Sequence, residues 1–328
     1  MSGVGGLNAR PGDFGVVSQV PVVIDRDRGS RVRGSFGWGL ATLSLLVGLG
    51  VVAPSGLALL LFLGIVIVAH EGGHWWVARR AGMQPTEFYW GFGPEAVSVA
   101  YNGCRYGVKV LPFGGYVKLE GMTPTSKLSI GFPEAGTYRA ASHRGRLATI
   151  LAGPAVNLAM AFVGFSIAWA AQGVGWGQAL VAGVSDLWAM LAMTVDAFVT
   201  LVANLGGYIE ALFGGQAAQS NAPVRFMSPV SQADFSQRAI SSGPILALRW
   251  LAILSAAIGG LNLLPFPPLD GSHAVVAAVE GAVQRVRRNR QVVVDIRRLV
   301  PVAWFTLGCL VLLSVSALVM DLRDLAAS

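Results

Sequence analysis

The chain has 328 residues, of which 54% are hydrophobic and only 12% charged. Soluble domains carry about 25% charged residues, so this composition excludes an ordinary soluble protein and marks a membrane protein. The net charge of +7 does not point to nucleic acid, because the basic residues fall in blocks between apolar runs, as loops facing the cytoplasm do.

Residues 1–35 form a basic arm rich in Gly, Val and Arg, without a signal-peptide pattern; it is expected to be cytoplasmic and disordered. Five stretches reach the roughly 20 apolar residues a bilayer crossing needs: about 36–53, 56–78, 147–172, 243–264 and 299–320. The turn signal Ala53-Pro54-Ser55-Gly56 makes the first two an antiparallel pair. A sixth apolar stretch, 178–213, carries Asp186, Asp196, Asn204 and Glu210, and is expected to lie in the interface as an amphipathic helix. The fold class expected is thus a polytopic α-helical membrane protein with a small β insertion.

Lys and Arg orient it. The arm holds five, 79–146 nine and 265–298 six, whereas 173–242 has only Arg225 and Arg238. Basic loops are cytoplasmic, so the N-terminus is expected inside and 173–242 outside. Cys104 and Cys309 are far apart and suggest neither a disulfide nor a thiolate metal site.

The second stretch contains His70-Glu71-Gly72-Gly73-His74, about 20 Å along a core of about 30 Å. Two histidines and a glutamate are costly in hydrocarbon unless paired or bound to metal. Histidines four apart on a helix point the same way, the spacing with which HExxH binds zinc beside a glutamate base. A catalytic zinc needs a third protein ligand. Asp270 in "GGLNLLPFPPLDGSH" (259–273) is the favoured candidate and His273 the rival; the alternative for Asp270 is to cap a helix starting at Gly271. The helix arriving at Asn262 cannot pass Pro265, Pro267 and Pro268, so a loop delivers Asp270. Between these motifs, "AVSVAYNGCRYGVKV" reads as a hairpin about Asn102-Gly103. "PFGGYVKL" reads as a further strand with an open edge, to which an extended peptide could add.

HEGGH with a later NLLPFPPLDG resembles the site-2 protease family of intramembrane zinc metalloproteases. "LAGPAVNLAMA" (151–161) resembles that family's AGPxxN span, and "VLPFGGYVKLEGMTP" (110–124) its GGYVK loop. GFGP at 91–94 and EGMTP at 120–124 resemble actinobacterial members. The likeness covers about 56–320; span 36–53 lies outside this core. It implies one Zn2+ held by His70, His74 and Asp270, with Glu71 as the base that activates water. It also implies a substrate held by Asn262, Pro265, Pro267, Gly114, Gly115, Tyr116 and Asn157. The implied substrate is a transmembrane protein within the lipid bilayer, such as an anti-sigma factor. Clearance of signal-peptide remnants is a second reading, and a metal transporter a third, of another class. No PDZ-like segment is recognisable between 172 and 243, and no CBS-like one after Met320. A separate regulatory or substrate-presenting protein is therefore an expected partner.

Overall fold

A computed structural model describes residues 36–122, 128–129, 131–203, 206, 227–287 and 299–327. The basic arm, Asn204 and Glu210 fall outside these. The described residues form eight α-helices and one sheet: α1 Phe36–Val52, α2 Pro54–Arg80, β1 Pro85–Tyr101, β2 Cys104–Leu119, α3 His143–Ala170, α4 Trp176–Ala203, α5 Pro229–Ser241, α6 Pro244–Asn262, α7 Asp270–Arg287 and α8 Val300–Ala327. Prolines open α2, α5 and α6, where a missing N–H costs nothing. Ser142 caps α3 by accepting from the Gly145 N–H at 3.1 Å.

Five helices are long and apolar enough to cross a bilayer: Pro54–Arg80, His143–Ala170, Trp176–Thr200, Pro244–Asn262 and Val300–Val319. The protein is a multi-pass membrane protein. The number agrees with expectation, but the membership does not. Helix α1, with 17 residues, is apolar but falls just below that length. Helix α4, expected to lie in the interface, is itself long and apolar enough to cross. Its Gly183 packs against Ser166 of α3, its Leu191 and Thr194 against Gly260 of α6, and its Phe198 against Phe266 beyond α6. It therefore runs lengthwise through the bundle. The Asp186 carboxylate, which argued against such a position, accepts from Trp169 Nε1 at 2.8 Å and lies 3.4 Å from Arg249.

The hairpin turns at Asn102 (φ 51°) and Gly103 (φ 78°), the left-handed pair a type I′ turn requires. "PFGGYVKL" is not a separate strand: β2 runs through it with a bend. Residues Glu87–Trp90 of β1 lie between the two halves of β2, pairing with Arg105–Val108 on one side and with Lys118–Gly115 on the other. In this register the segment 115–119 has a β1 neighbour on one side only.

Two of the apolar clusters among the described residues flank the histidines of α2. Phe62 and Val66 of α2 pack with Ala239, Trp250 and Leu254 of α5 and α6. Ala78 at the other end of α2 packs with Met83, Tyr138, Ile150 and Ala277. His70 and His74 sit between the two clusters, so packing on both sides fixes the turn of α2 that carries them.

Candidate metal centre

The His70 ring is buried and its Nε2 lies 2.9 Å from Asp270 Oδ2. His74 Nε2 lies 3.1 Å from His70 Nε2 and 3.3 Å from the same carboxylate oxygen. Among the described residues, this is the one group of three or more His, Cys, Asp or Glu whose ligand atoms converge. Ligand atoms about 2.0–2.1 Å from a tetrahedral zinc lie about 3.3 Å from one another, so the triangle is within a few tenths of an ångström of a zinc site. The other nitrogen of His74 supports the same conclusion. Its Nδ1 sits 2.7 Å from the Thr149 carbonyl, which accepts only from a protonated Nδ1 and so leaves Nε2 free as a ligand.

Asp270 arrives as expected. Helix α6 ends at Asn262, before the prolines, and α7 begins at Asp270 itself. Asp270, and not His273, meets both histidines; His273 instead lines the adjoining cavity. That cavity, about 150 Å3, is walled by Glu71 and His74 from α2 and by Tyr116, Val117 and Leu119 from β2. Tyr138 lines it too, its phenol pushed up to about 12 by burial, hence a neutral hydroxyl. The Tyr116 hydroxyl donates to Glu87 at 2.6 Å, which orients the ring; burial and that bond raise its pKa.

The residues expected to touch substrate divide. Tyr116 lines the cavity, and Gly115 borders Glu71 and Ile67. Gly114 makes the bend of β2 with φ 87°. Asn262 donates to the Ile258 carbonyl at 3.0 Å, closing the end of its own helix. Pro265 is exposed, Pro267 is buried, and neither lines the cavity. Asn157 is fully buried, with its Nδ2 3.1 Å from His70 Nδ1, so it faces a histidine.

Sequence reasoning missed Gly153. A Cβ there would come within 2.6 Å of His70 Nε2 and closer still to His74 Nε2, so α3 can lie against the histidines only because this residue has no side chain. The signal was present in the small pairs Gly72-Gly73 and Ala152-Gly153, which let two helices approach closely. It also missed a buried ion pair, Arg146 to Glu280 at 2.9 Å, which ties α7 to α3.

A bundle of apolar helices enclosing a His-His-Asp triangle beside a glutamate defines a class, the polytopic membrane metalloproteins. Comparison with known proteins gives the family. The family model described as Peptidase family M50 matches residues 58–303, and the chain belongs to that family. It is 40% identical over 99 residues to "Zinc metalloprotease Rip1" of Mycobacterium tuberculosis, a match covering 30% of this chain and 24% of that protein. It is 33% identical over 126 residues to Rip1 of Mycolicibacterium smegmatis, covering 35% and 30%. A Brucella suis protein named "Putative zinc metalloprotease BR1156/BS1330_I1152" is 26% identical over 319 residues, covering 67% and 84%. The aligned part of the chain thus spans about a quarter of the length of the mycobacterial Rip1 proteins.

Proposed function

We propose that the protein is an intramembrane zinc endopeptidase that hydrolyses a peptide bond within or near a transmembrane segment of another membrane protein. The observation that carries this is the convergence of His70, His74 and Asp270 beside Glu71 on a cavity whose wall is one edge of a β-sheet. His70, His74 and Asp270 would hold the ion. Zinc bound there would supply Lewis acidity, acidifying a water and polarising the scissile carbonyl. Glu71, on the cavity side of α2, takes the proton of the attacking water and returns it to the leaving amine. The Gly115–Leu119 edge receives the substrate as an added strand, which holds an unwound segment with its carbonyls exposed. Tyr116 and Gly115 would border it; Asn262, Pro265, Pro267 and Gly114 act through the loop and bend that frame the site.

The substrate class is a membrane-bound regulator such as an anti-sigma factor, with signal-peptide remnants the alternative. The positive-inside distribution supports a cytoplasmic N-terminus and an active site toward the cytoplasm, with a metalloprotease domain over 36–328, its core over 56–320, and the arm before it. A separate protein would present or select substrates. Reporter fusions after Thr125 and Arg290 test the orientation, and both should read cytoplasmic.

The test of the activity is Glu71→Gln in purified, zinc-loaded protein with a transmembrane peptide substrate. Cleavage should fall by about 10²–10⁴-fold while bound zinc is unchanged. A Glu71→Gln protein that cleaves like wild type overturns the assignment.

A further inference from the structure

Asn157 has no exposed surface. Helix α6 seals it on one side: the Ser255 hydroxyl donates to the Asn157 carbonyl at 2.9 Å, and Gly259 lies so close that a Cβ there would be 3.0 Å from Asn157 Cβ. The side-chain amide is turned inward. Its Nδ2 lies 3.1 Å from His70 Nδ1, and its Oδ1 has no hydrogen-bond partner. A buried amide oxygen without a donor is costly, about 1–3 kcal/mol.

His70 points its other nitrogen, Nε2, at His74 and Asp270. An imidazole that gives its Nε2 lone pair to a metal keeps its proton on Nδ1. That N–H is then aimed at the Asn157 amide. With Nδ2 in front of it, two donors would face each other. Turning the amide by 180° exchanges Nδ2 for Oδ1 without changing the side chain's shape. The clash becomes a hydrogen bond, and the oxygen that lacked a partner gains one.

We propose that Asn157 is a positioning residue: its Oδ1 accepts the Nδ1–H of His70 and so fixes the tautomer and ring plane in which His70 offers Nε2 to a divalent metal. Asn157 does for His70 what the Thr149 carbonyl does for His74. Both supports come from α3, eight residues apart, so this one helix orients both histidines of α2. The inference rests on the zinc reading above.

The experiment is competition for zinc between the purified full chain in detergent and a chromophoric chelator, with Co2+ absorption as a second readout of ligand geometry. Asn157→Leu keeps the branching and heavy-atom count of the side chain, at a larger volume, and removes the acceptor. It should weaken zinc binding about 10–100-fold and alter the Co2+ spectrum. Asn157→Asp keeps an acceptor oxygen and should bind zinc at least as tightly as wild type, with the wild-type spectrum. Unfolding of each protein in excess chelator identifies a variant that fails to fold; if Asn157→Leu does so, Asn157→Ala replaces it with the same expected loss. Wild-type affinity in the folded acceptor-free variant overturns the proposal, as does an equal loss in Asn157→Asp. A wild-type chain that binds no zinc overturns the zinc reading and this proposal together.

Discussion

Replacing Gly153 with alanine adds one methyl group to the most crowded point of the site. The new Cβ would lie 2.6 Å from His70 Nε2, whereas ordinary van der Waals contact begins near 3.4 Å. The neighbours must therefore give way by about 0.8 Å, several times the tolerance of about 0.2 Å in a metal–ligand distance. Neither ring can simply swing aside, because Thr149 holds His74 and Asn157 holds His70. Helix α3 can withdraw only by giving up its close packing on α2, where a Cβ on Gly73 would lie 2.6 Å from the Ala152 carbonyl oxygen. Two outcomes remain: one histidine leaves the set, or the bundle opens slightly. The first should weaken zinc binding at least 100-fold, beyond the range of a lost supporting hydrogen bond. The second should cost about 1–3 kcal/mol of stability, as overpacking does. Chelator competition measures the first, and unfolding in denaturant without metal the second. A Gly153→Ala protein with wild-type zinc affinity and wild-type stability would refute the reasoning.

Asp270→Ala should lose both zinc and cleavage, measured by metal analysis beside the peptide assay; full zinc retention would move the third ligand to His273. Either Arg146→Met or Glu280→Gln leaves one partner of a buried pair, each under 10% exposed, without its counterpart, and should cost about 3–5 kcal/mol in an unfolding titration. The double replacement Arg146→Met with Glu280→Leu should recover most of that loss. Glu87 should give the sheet an acid-sensitive component. Burial alone would raise its pKa, but hydrogen bonds from Tyr116 and Lys118 outweigh burial and lower it. The resulting stability is fully present above the ordinary value of 4.5 and is lost as pH falls through the lowered folded value. Amide exchange in β1 and β2 followed against pH should show this, and Glu87→Gln should abolish it.

The parts of the site legible in the sequence are those where a residue contradicts its surroundings. Histidines and a glutamate in an apolar run, and prolines that halt a helix just before an aspartate, cannot be explained by burial alone. The Asn102-Gly103 turn was legible for a similar reason, since few residue pairs accept its backbone angles. Gly153 was hidden because its role is to have no side chain, against histidines about 80 residues earlier in the chain. Asn157 was visible as part of a motif, but which neighbour it serves depends on how α6 closes over it. Asp186 was only half legible for a related reason. A sequence displays a charge without its partner, and Trp169 and Arg249 make the position tolerable within the bundle. The bend in β2 was read as a break because a proline and two glycines interrupt the alternation there.

The two halves of the metal triangle lie 200 residues apart along the chain. During synthesis at about 5–20 residues per second, α2 with both histidines precedes Asp270 by about 10–40 s. Throughout that interval the nascent chain holds an incomplete ligand set. The third ligand arrives with α7, which packs against α3 through the Arg146–Glu280 pair, so a complete ligand set needs both ends of the fold. The proposed hydrolase would therefore lack its complete metal site until its C-terminal third has been made.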